Sequence, residues 1–330
     1  MKFVGLLARV IKSDLGGPDA NTGSGSLGLV TIVDEFEVQR PRLFWLAYRL
    51  LGSASDAEDA VQDAYLRLHV ADRTAIESLP AWLTKVVTNL CINRLMSARA
   101  RREVYVGPWL PEPVVTSDGV LGPLETAEQR DSVSIALLTL MERLSPTERA
   151  AFVLREAFAY SHREVAEILH TSEANARQLH HRARQRLGDP TARTRPDTAH
   201  WRGLVERFFT AARSGDVDGL VAILAADVTS TADGGGKVAT ARKVIVGRDR
   251  GAHYFAGVFT RAMPEIDLRL DVAEINGEPA LIAFDGTVPT GVLFFELADE
   301  RIAAVRITAN PDKLRFLAGQ LSHPAHLSGS

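Results

Sequence analysis

Residues 161–187 read SHREVAEILHTSEANARQLHHRARQRL. Ser161 and Glu164 form a capping-box pair, a serine and a glutamate that satisfy each other's free amides at a helix start. Val165, Ile168 and Leu169 then recur at helical spacing on an inward face. His170-Thr171-Ser172 is a short turn, and a second helix runs from Glu173 to Leu187 with Ala176, Leu179, Ala183 and Leu187 as a narrow apolar stripe. Arg177, Gln178, His181, Arg182, Arg184 and Arg186 fall on the other faces, and no carboxylate follows Glu173. Two helices joined by a three-residue turn, the second basic and polar at its front, describe a helix-turn-helix. At that front Arg can pair with guanine and Gln with adenine, each pair giving about 1–3 kcal/mol of discrimination. Arg184 and Arg186, further back, are better placed for phosphates. The plain alternative is a helical hairpin with a solvated basic face.

On the N-terminal side, capping-box spacing recurs at Ser145–Glu148, with Pro146 at the first helical position, and at Ser55–Glu58. Helical spacing holds over 131–187, stops over 103–130, where Pro108, Pro111, Pro113, Gly119, Gly122 and Pro123 accumulate, and holds again over 34–102. The expectation is two all-α domains joined by a proline-stiffened linker. Asp56, Glu58, Asp59 and Asp63 crowd the start of one helix of the first domain, where the dipole favours negative charge. Arg94, Arg99, Arg101 and Arg102 gather at the end of another, more cations than capping needs. Residues 1–33 are expected to be a disordered leader, with Gly, Ser, Asp and Asn dominating 13–28.

Beyond a second linker at 188–198 the pattern changes. Two helices, about 199–213 and 216–225, precede a strand, a Gly-rich loop, a helix near 247–262 and further strands. Ile266, Leu268, Leu270 and Val272 alternate with charged residues in the period of a half-exposed strand. Asn276-Gly277 is a hairpin signal before Ala280–Phe284, and Asp299-Glu300 joins a second hairpin, Leu293–Leu297 with Ile302–Ile307. Helices first and strands after predict an α+β domain over 199–318 with an antiparallel sheet, followed by a tail at 319–330.

Bulk properties set limits. The chain has 330 residues, 46% apolar and 24% charged, with a formal net charge of −3. That balance gives no overall pull toward nucleic acid or membranes, so such a partner must be met by local charge. A single cysteine, Cys91, excludes an internal disulfide and any Cys-based zinc site, and reads as a small core residue in a cytoplasmic protein. No stretch approaches the roughly 18 apolar residues of a membrane span.

Several motifs taken in order carry a family resemblance: Asp56-Ala57-Glu58-Asp59-Ala60-Val61-Gln62-Asp63, then Ala81-Trp82-Leu83-Thr84, Leu144-Ser145-Pro146, Glu164-Val165-Ala166 and His180-His181-Arg182. Over 34–187 the chain resembles the extracytoplasmic-function sigma factors of the sigma-70 superfamily. The resemblance implies that Asp56, Glu58, Asp59, Asp63 and Leu66 dock on core RNA polymerase. It implies that 82–102 opens the minus-10 element, with Asn89, Asn93, Arg94, Arg99, Arg101 and Arg102 as contacts. The helix-turn-helix would read promoter DNA at minus-35 through Arg177, Gln178, His181, Arg182 and Arg184. Chemistry then belongs to the polymerase: no catalytic residue, cofactor or metal is expected.

The C-terminal part resembles a SnoaL-like domain of the NTF2 superfamily, a cone-shaped α+β fold. A subgroup of these sigma factors carries it, with Trp109-Leu110-Pro111-Glu112-Pro113, Asp233-Gly234-Gly235-Gly236-Lys237 and Asn310-Pro311-Asp312-Lys313-Leu314 as marks, and the extension is taken to regulate in cis. A P-loop reading of the glycine run fails, because Thr231 stands where the first Gly is required and Val238 follows Lys237. Trp109, Pro111, Pro113, Asp233, Gly234, Gly235, Gly236, Lys237, Asn310, Pro311 and Asp312 are therefore expected to form a regulatory contact. Two alternatives stand beside this: a helix-turn-helix regulator sensing a small ligand, and an enzyme whose cone holds Asp233, His253, Tyr254 or Asp285.

Overall fold

The computed structural model describes residues 25–102, 105–116, 132–188, 197–262 and 269–322. The chain divides into two compact units, Met1–Arg40 and Pro41–Ser330. Helix α1 spans Gly25–Leu51, so helix replaces the expected leader from Gly25 onward. In the first unit Arg40 lies 3.9 Å from Glu37, one turn earlier. Pro41, which cannot donate to the ladder, stands where the units divide.

In the second unit α2 (Ala54–Val70) and α3 (Leu79–Arg102) continue the first helical domain. Ser53, not Ser55, caps α2, accepting from the Asp56 amide. The apolar stripe Ala57, Ala60, Val61, Ala64 and Leu68 is buried, as is Cys91. The second helical domain comprises α4 (Ile135–Met141), α5 (Pro146–Glu156), α6 (His162–Leu169) and α7 (Glu173–Leu187). Both of its capping boxes, Ser145–Glu148 and Ser161–Glu164, are formed. His170 ends α6 in the left-handed region, and Ala176, Leu179, Ala183 and Leu187 are buried.

The C-terminal domain runs α8 (Thr198–Ser214), α9 (Val217–Ile223), β1 (Leu224–Asp233), β2 (Ile245–Val246), α10 (Arg248–Gly257, extended by a π turn over Val258–Ala262), β3 (Arg269–Ile275), β4 (Glu278–Asp285), β5 (Val288–Ala298), β6 (Arg301–Thr308) and α11 (Pro311–Leu321). The strands order as β2-β1-β6-β5-β4-β3. The sheet is mixed, not antiparallel throughout: β1 pairs with β6 in parallel, because α10 and four further strands intervene and let the chain cross over. Ile266 and Leu268 lie outside the described residues, so the alternating strand begins at Arg269.

Period-two geometry sends neighbouring side chains of β4 and β5 to opposite faces. Leu281, Ala283, Leu293 and Phe295 join Trp201, Phe208 and Phe255 under the helices α8 and α10. Ala280, Ile282, Phe284, Val292 and Phe294 meet Leu314 and Leu317 of α11, together with Val115 and Ile135 from outside the domain. Both faces of the sheet are therefore covered, and the second cover is partly supplied by the helical half of the chain.

That contact revises the expected linker. Residues 105–116 are a strap laid on the C-terminal domain, with Leu110 and Val114 fully buried and Pro111 and Pro113 buried too. Val115 makes an antiparallel bridge with Ile275 at the edge of the sheet. Gly119, Gly122 and Pro123 lie outside the described residues.

Candidate docking and promoter-binding surfaces

On α2, Asp59 and Leu66 are exposed, Leu66 at 56%, while Asp56, Glu58 and Asp63 are half-buried. Asp63 pairs at 2.8 Å with Arg94 of α3, so a residue expected to dock on polymerase and one expected to touch DNA neutralise each other here. Asn89 is half-buried and Asn93 exposed on α3. The side chains of Arg99, Arg101 and Arg102 lie outside the described residues.

On α7, Arg177, Gln178, His181 and Arg184 are exposed. Arg177 pairs with Glu173 one turn earlier. Arg182 lies 3.6 Å and Arg186 2.5 Å from the buried Glu148 carboxylate, so these two brace α7 against α5. His180 reaches Glu156 of α5 at 2.6 Å, a bond that holds the Glu156 carboxyl below its ordinary range. These contacts lie behind the front of α7 and leave Arg177, Gln178 and His181 exposed.

The strap, the glycine loop and the start of α11 meet at a buried charge. Asp233 Oδ1 accepts from the Tyr105 hydroxyl at 2.6 Å and the Gly235 amide at 3.0 Å; Oδ2 accepts from the Leu110 amide at 2.8 Å and Lys313 Nζ at 2.6 Å. Lys313 also donates to the Leu110 carbonyl and lies 4.1 Å from the centre of the Trp109 ring. Three further donors to the carboxylate and the ring faces of Tyr105 and Trp109 beside the ammonium compensate a pair that would otherwise be expensive to desolvate. Burial and the Asp233 bond push the Tyr105 phenol well above its usual range.

The glycines fit this role by size. A Cβ on Gly235, whose φ is +59°, would fall 2.2 Å from Asn310 Nδ2, and one on Gly236, at +72°, would press on Val106 at 3.2 Å. Lys237 pairs with Asp312 at the rim. Asn310 caps α11, with Pro311 in its first turn, and donates to the Tyr105 hydroxyl at 2.9 Å. Of the expected contact residues, Trp109, Asp233, Gly235, Gly236, Lys237, Asn310, Pro311 and Asp312 thus gather around this charge, whereas Pro111 is buried in the strap beside Gly52 and Pro113 is buried further along it. Lys313, the fourth residue of the Asn310–Leu314 motif, completes the charge but was not among the expected contacts.

Glu112, inside the Trp109–Pro113 motif, was likewise not among the expected contacts. Its carboxylate accepts from the amides of Ala54 at 2.9 Å and Ser55 at 3.0 Å and from the Ser53 hydroxyl at 2.8 Å. The strap therefore places an anion on the N-terminus of α2, where free amides and the helix dipole receive it. Burial outweighs these donors and raises the carboxyl above its usual range.

The two helical domains touch directly. Arg42 of α1 donates to Thr84 of α3 at 3.0 Å and to the Tyr160 hydroxyl, just ahead of α6, at 2.6 Å. Buried Arg149 of α5 donates to the Leu50 carbonyl at 2.9 Å, and loss of solvent pulls its guanidinium down to about 9. The enzyme candidates do not converge: His253 and Asp285 are exposed, Asp233 faces the strap, and Tyr254 packs against the helix-side core. Among the described residues no cluster of metal-ligating side chains occurs, and no helix is long and apolar enough to cross a membrane.

Three family models match the chain: sigma-70 region 2 over residues 36–101, sigma-70 region 4 over 134–187 and a SnoaL-like domain over 205–305. The chain is 40% identical to the extracytoplasmic-function RNA polymerase sigma factor SigJ of Mycobacterium tuberculosis, over 85% of this chain and 92% of that one. It is 30% identical to the probable sigma factor SigI of the same species, over 87% and 96% respectively. The crystal structure of M. tuberculosis SigJ superposes with a TM-score of 0.65 at 36% identity, covering 86% of this chain and 98% of that one.

Proposed function

The chain belongs to the extracytoplasmic-function RNA polymerase sigma factors, with regions 2 and 4 followed by a SnoaL-like domain, and on that premise we propose how its surfaces divide the work. Region 2 docks on core polymerase through the exposed front of α2, with Leu66 and Asp59 at its centre and Asp56, Glu58 and Asp63 around them. Asn89, Asn93 and the arginines at the end of α3 hold the opened minus-10 strand, whose phosphates and unstacked bases suit cationic and amide side chains. Arg177, Gln178 and His181 read minus-35 as duplex, and Arg184 positions the helix on phosphate. The protein works in the cytoplasm, where the polymerase is.

The C-terminal domain regulates in cis and performs no chemistry. Its interior is occupied by rings rather than by a catalytic group: Phe208 lies 4.8 Å from Phe255 and 5.1 Å from Phe295 between ring centres. The observation that carries the regulatory reading is the buried Asp233–Lys313 pair closed over by Tyr105, Trp109 and Leu110. A latch built on the C-terminal domain grips the segment between regions 2 and 4, and the same segment caps the docking helix through Glu112.

The whole reading is tested by adding the purified chain to core polymerase on a genomic pool of promoter DNA. Initiation at a defined set of starts is expected, and no transcript from any promoter would sink it.

A further inference from the structure

The turn between β3 and β4 does more than reverse the chain. Asn276 and Gly277 have φ of +56° and +73°, the left-handed pair that a tight hairpin needs. Hairpin tips ordinarily face water, yet Asn276 is 0% exposed. Its amide donates to the Val114 carbonyl at 2.9 Å, and its Oδ1 accepts from the Val114 amide at 3.1 Å. Its Nδ2 donates to the Tyr48 hydroxyl at 2.6 Å and to the Val133 carbonyl at 2.8 Å. The orientation is fixed, because Oδ1 faces an N–H and Nδ2 faces a carbonyl.

These partners belong to different parts of the molecule: Tyr48 lies in region 2, Val114 in the strap and Val133 ahead of region 4. The grip continues over the next two residues, Gly277 donating to Thr116 Oγ1 at 2.7 Å and Glu278 accepting from the Ile135 amide at 3.1 Å. Tyr48 in turn donates to the Glu112 carbonyl at 2.6 Å. One carboxamide thus ties both DNA-binding regions and the strap to the sheet.

The arrangement it ties is closed. Elements named minus-10 and minus-35 lie roughly 25 base pairs apart, about 85 Å of duplex at 3.4 Å per pair. Regions 2 and 4 hydrogen-bonded through Arg42 and Tyr160 cannot reach both ends of that span. We propose that Asn276 is the positioning residue that holds regions 2 and 4 closed, and that breaking its side-chain hydrogen bonds frees them to span a promoter. This rests on the sigma-factor reading and goes beyond the Asp233 latch, which grips only the first half of the strap.

The test uses the full chain with cysteines carrying a dye pair at Arg67 of α2 and Gln185 of α7, both exposed, while buried Cys91 stays unlabelled. Asn276→Gly keeps the turn backbone and deletes the carboxamide. Asn276→Asp keeps the acceptor and puts an anion against the Val133 carbonyl. Asp299→Gly, at the exposed hairpin of β5 and β6 where Asp299 has φ of +48°, is the control. The wild type and control should show one short-distance population, with the long-distance population rising roughly tenfold or more in both Asn276 variants. Unlabelled Asn276→Gly should also initiate more transcripts with core polymerase. Distances unchanged in both Asn276 variants, equal opening in the control, or opening without added transcripts would each overturn the proposal. The distance experiment contains no polymerase, so its failure is separable from failure of the sigma-factor reading.

Discussion

Lys313 Nζ lies 2.6 Å from the Asp233 carboxylate, with the lysine side chain 8% and the aspartate 0% exposed. Removing one member of such a pair leaves a buried charge, a cost of about 3–5 kcal/mol. Lys313→Met should therefore loosen the strap by at least roughly a hundredfold in open fraction. Chymotrypsin reads this directly, since cleavage after Tyr105 or Trp109 tracks the open population when reclosing is fast. An unchanged cleavage rate would mean that the pair does not hold the strap.

Glu112 makes the docked strap pH-dependent. Burial raises its carboxyl in the docked state, so its contribution is fully present below the ordinary carboxylate range and is lost as pH rises through the raised value. Acidification from neutral pH toward the ordinary carboxylate range should tighten docking. Glu112→Gln, always neutral, should flatten the profile. The readout is the thermal midpoint of wild type minus variant against pH; a difference that stays constant contradicts the assignment.

Two substitutions on α7 separate readout from positioning. Replacing Arg177 and Gln178 by Ala should cost about 1–3 kcal/mol at particular minus-35 base pairs and relax preference there. Arg184→Ala should weaken all sequences alike and lower the salt dependence by about one phosphate contact. Binding to a panel of single-base promoter variants distinguishes them.

Leu66 is exposed at 56%, so Leu66→Asp should leave stability within about 0.5 kcal/mol. Binding to core polymerase should fall at least tenfold. Retained binding measured by co-migration with core enzyme would remove α2 from the docking surface.

The helical half was legible because its signals are local. Capping boxes at Ser145 and Ser161 and the stripe Ala176–Leu179–Ala183–Leu187 need only neighbours in sequence to act, and they formed as spaced. The cap expected at Ser55–Glu58 is made by Ser53 two residues earlier, and the Ala54 and Ser55 amides beside it go to Glu112, more than fifty residues away and invisible to local spacing. The same holds at Asn276, whose dipeptide announced a hairpin but not its burial. A hint was present in Ala280–Phe284 and Val292–Phe295, unbroken apolar runs where a strand with one wet face would alternate. Such runs state that both faces are covered without naming the cover. Proline spacing likewise suggested a stiff spacer at 103–130, where its actual use in 108–113 is to lay a buried strap with few amides left to satisfy.

The central claim is that the C-terminal domain restrains the sigma factor by gripping the strap. Single-round transcription with core polymerase, comparing the full chain with Lys313→Met on the same mapped promoters, tests it most directly. A higher yield from Lys313→Met at unchanged start sites is the predicted result. Equal yields, with the strap shown by chymotrypsin to be open in the variant, would contradict it.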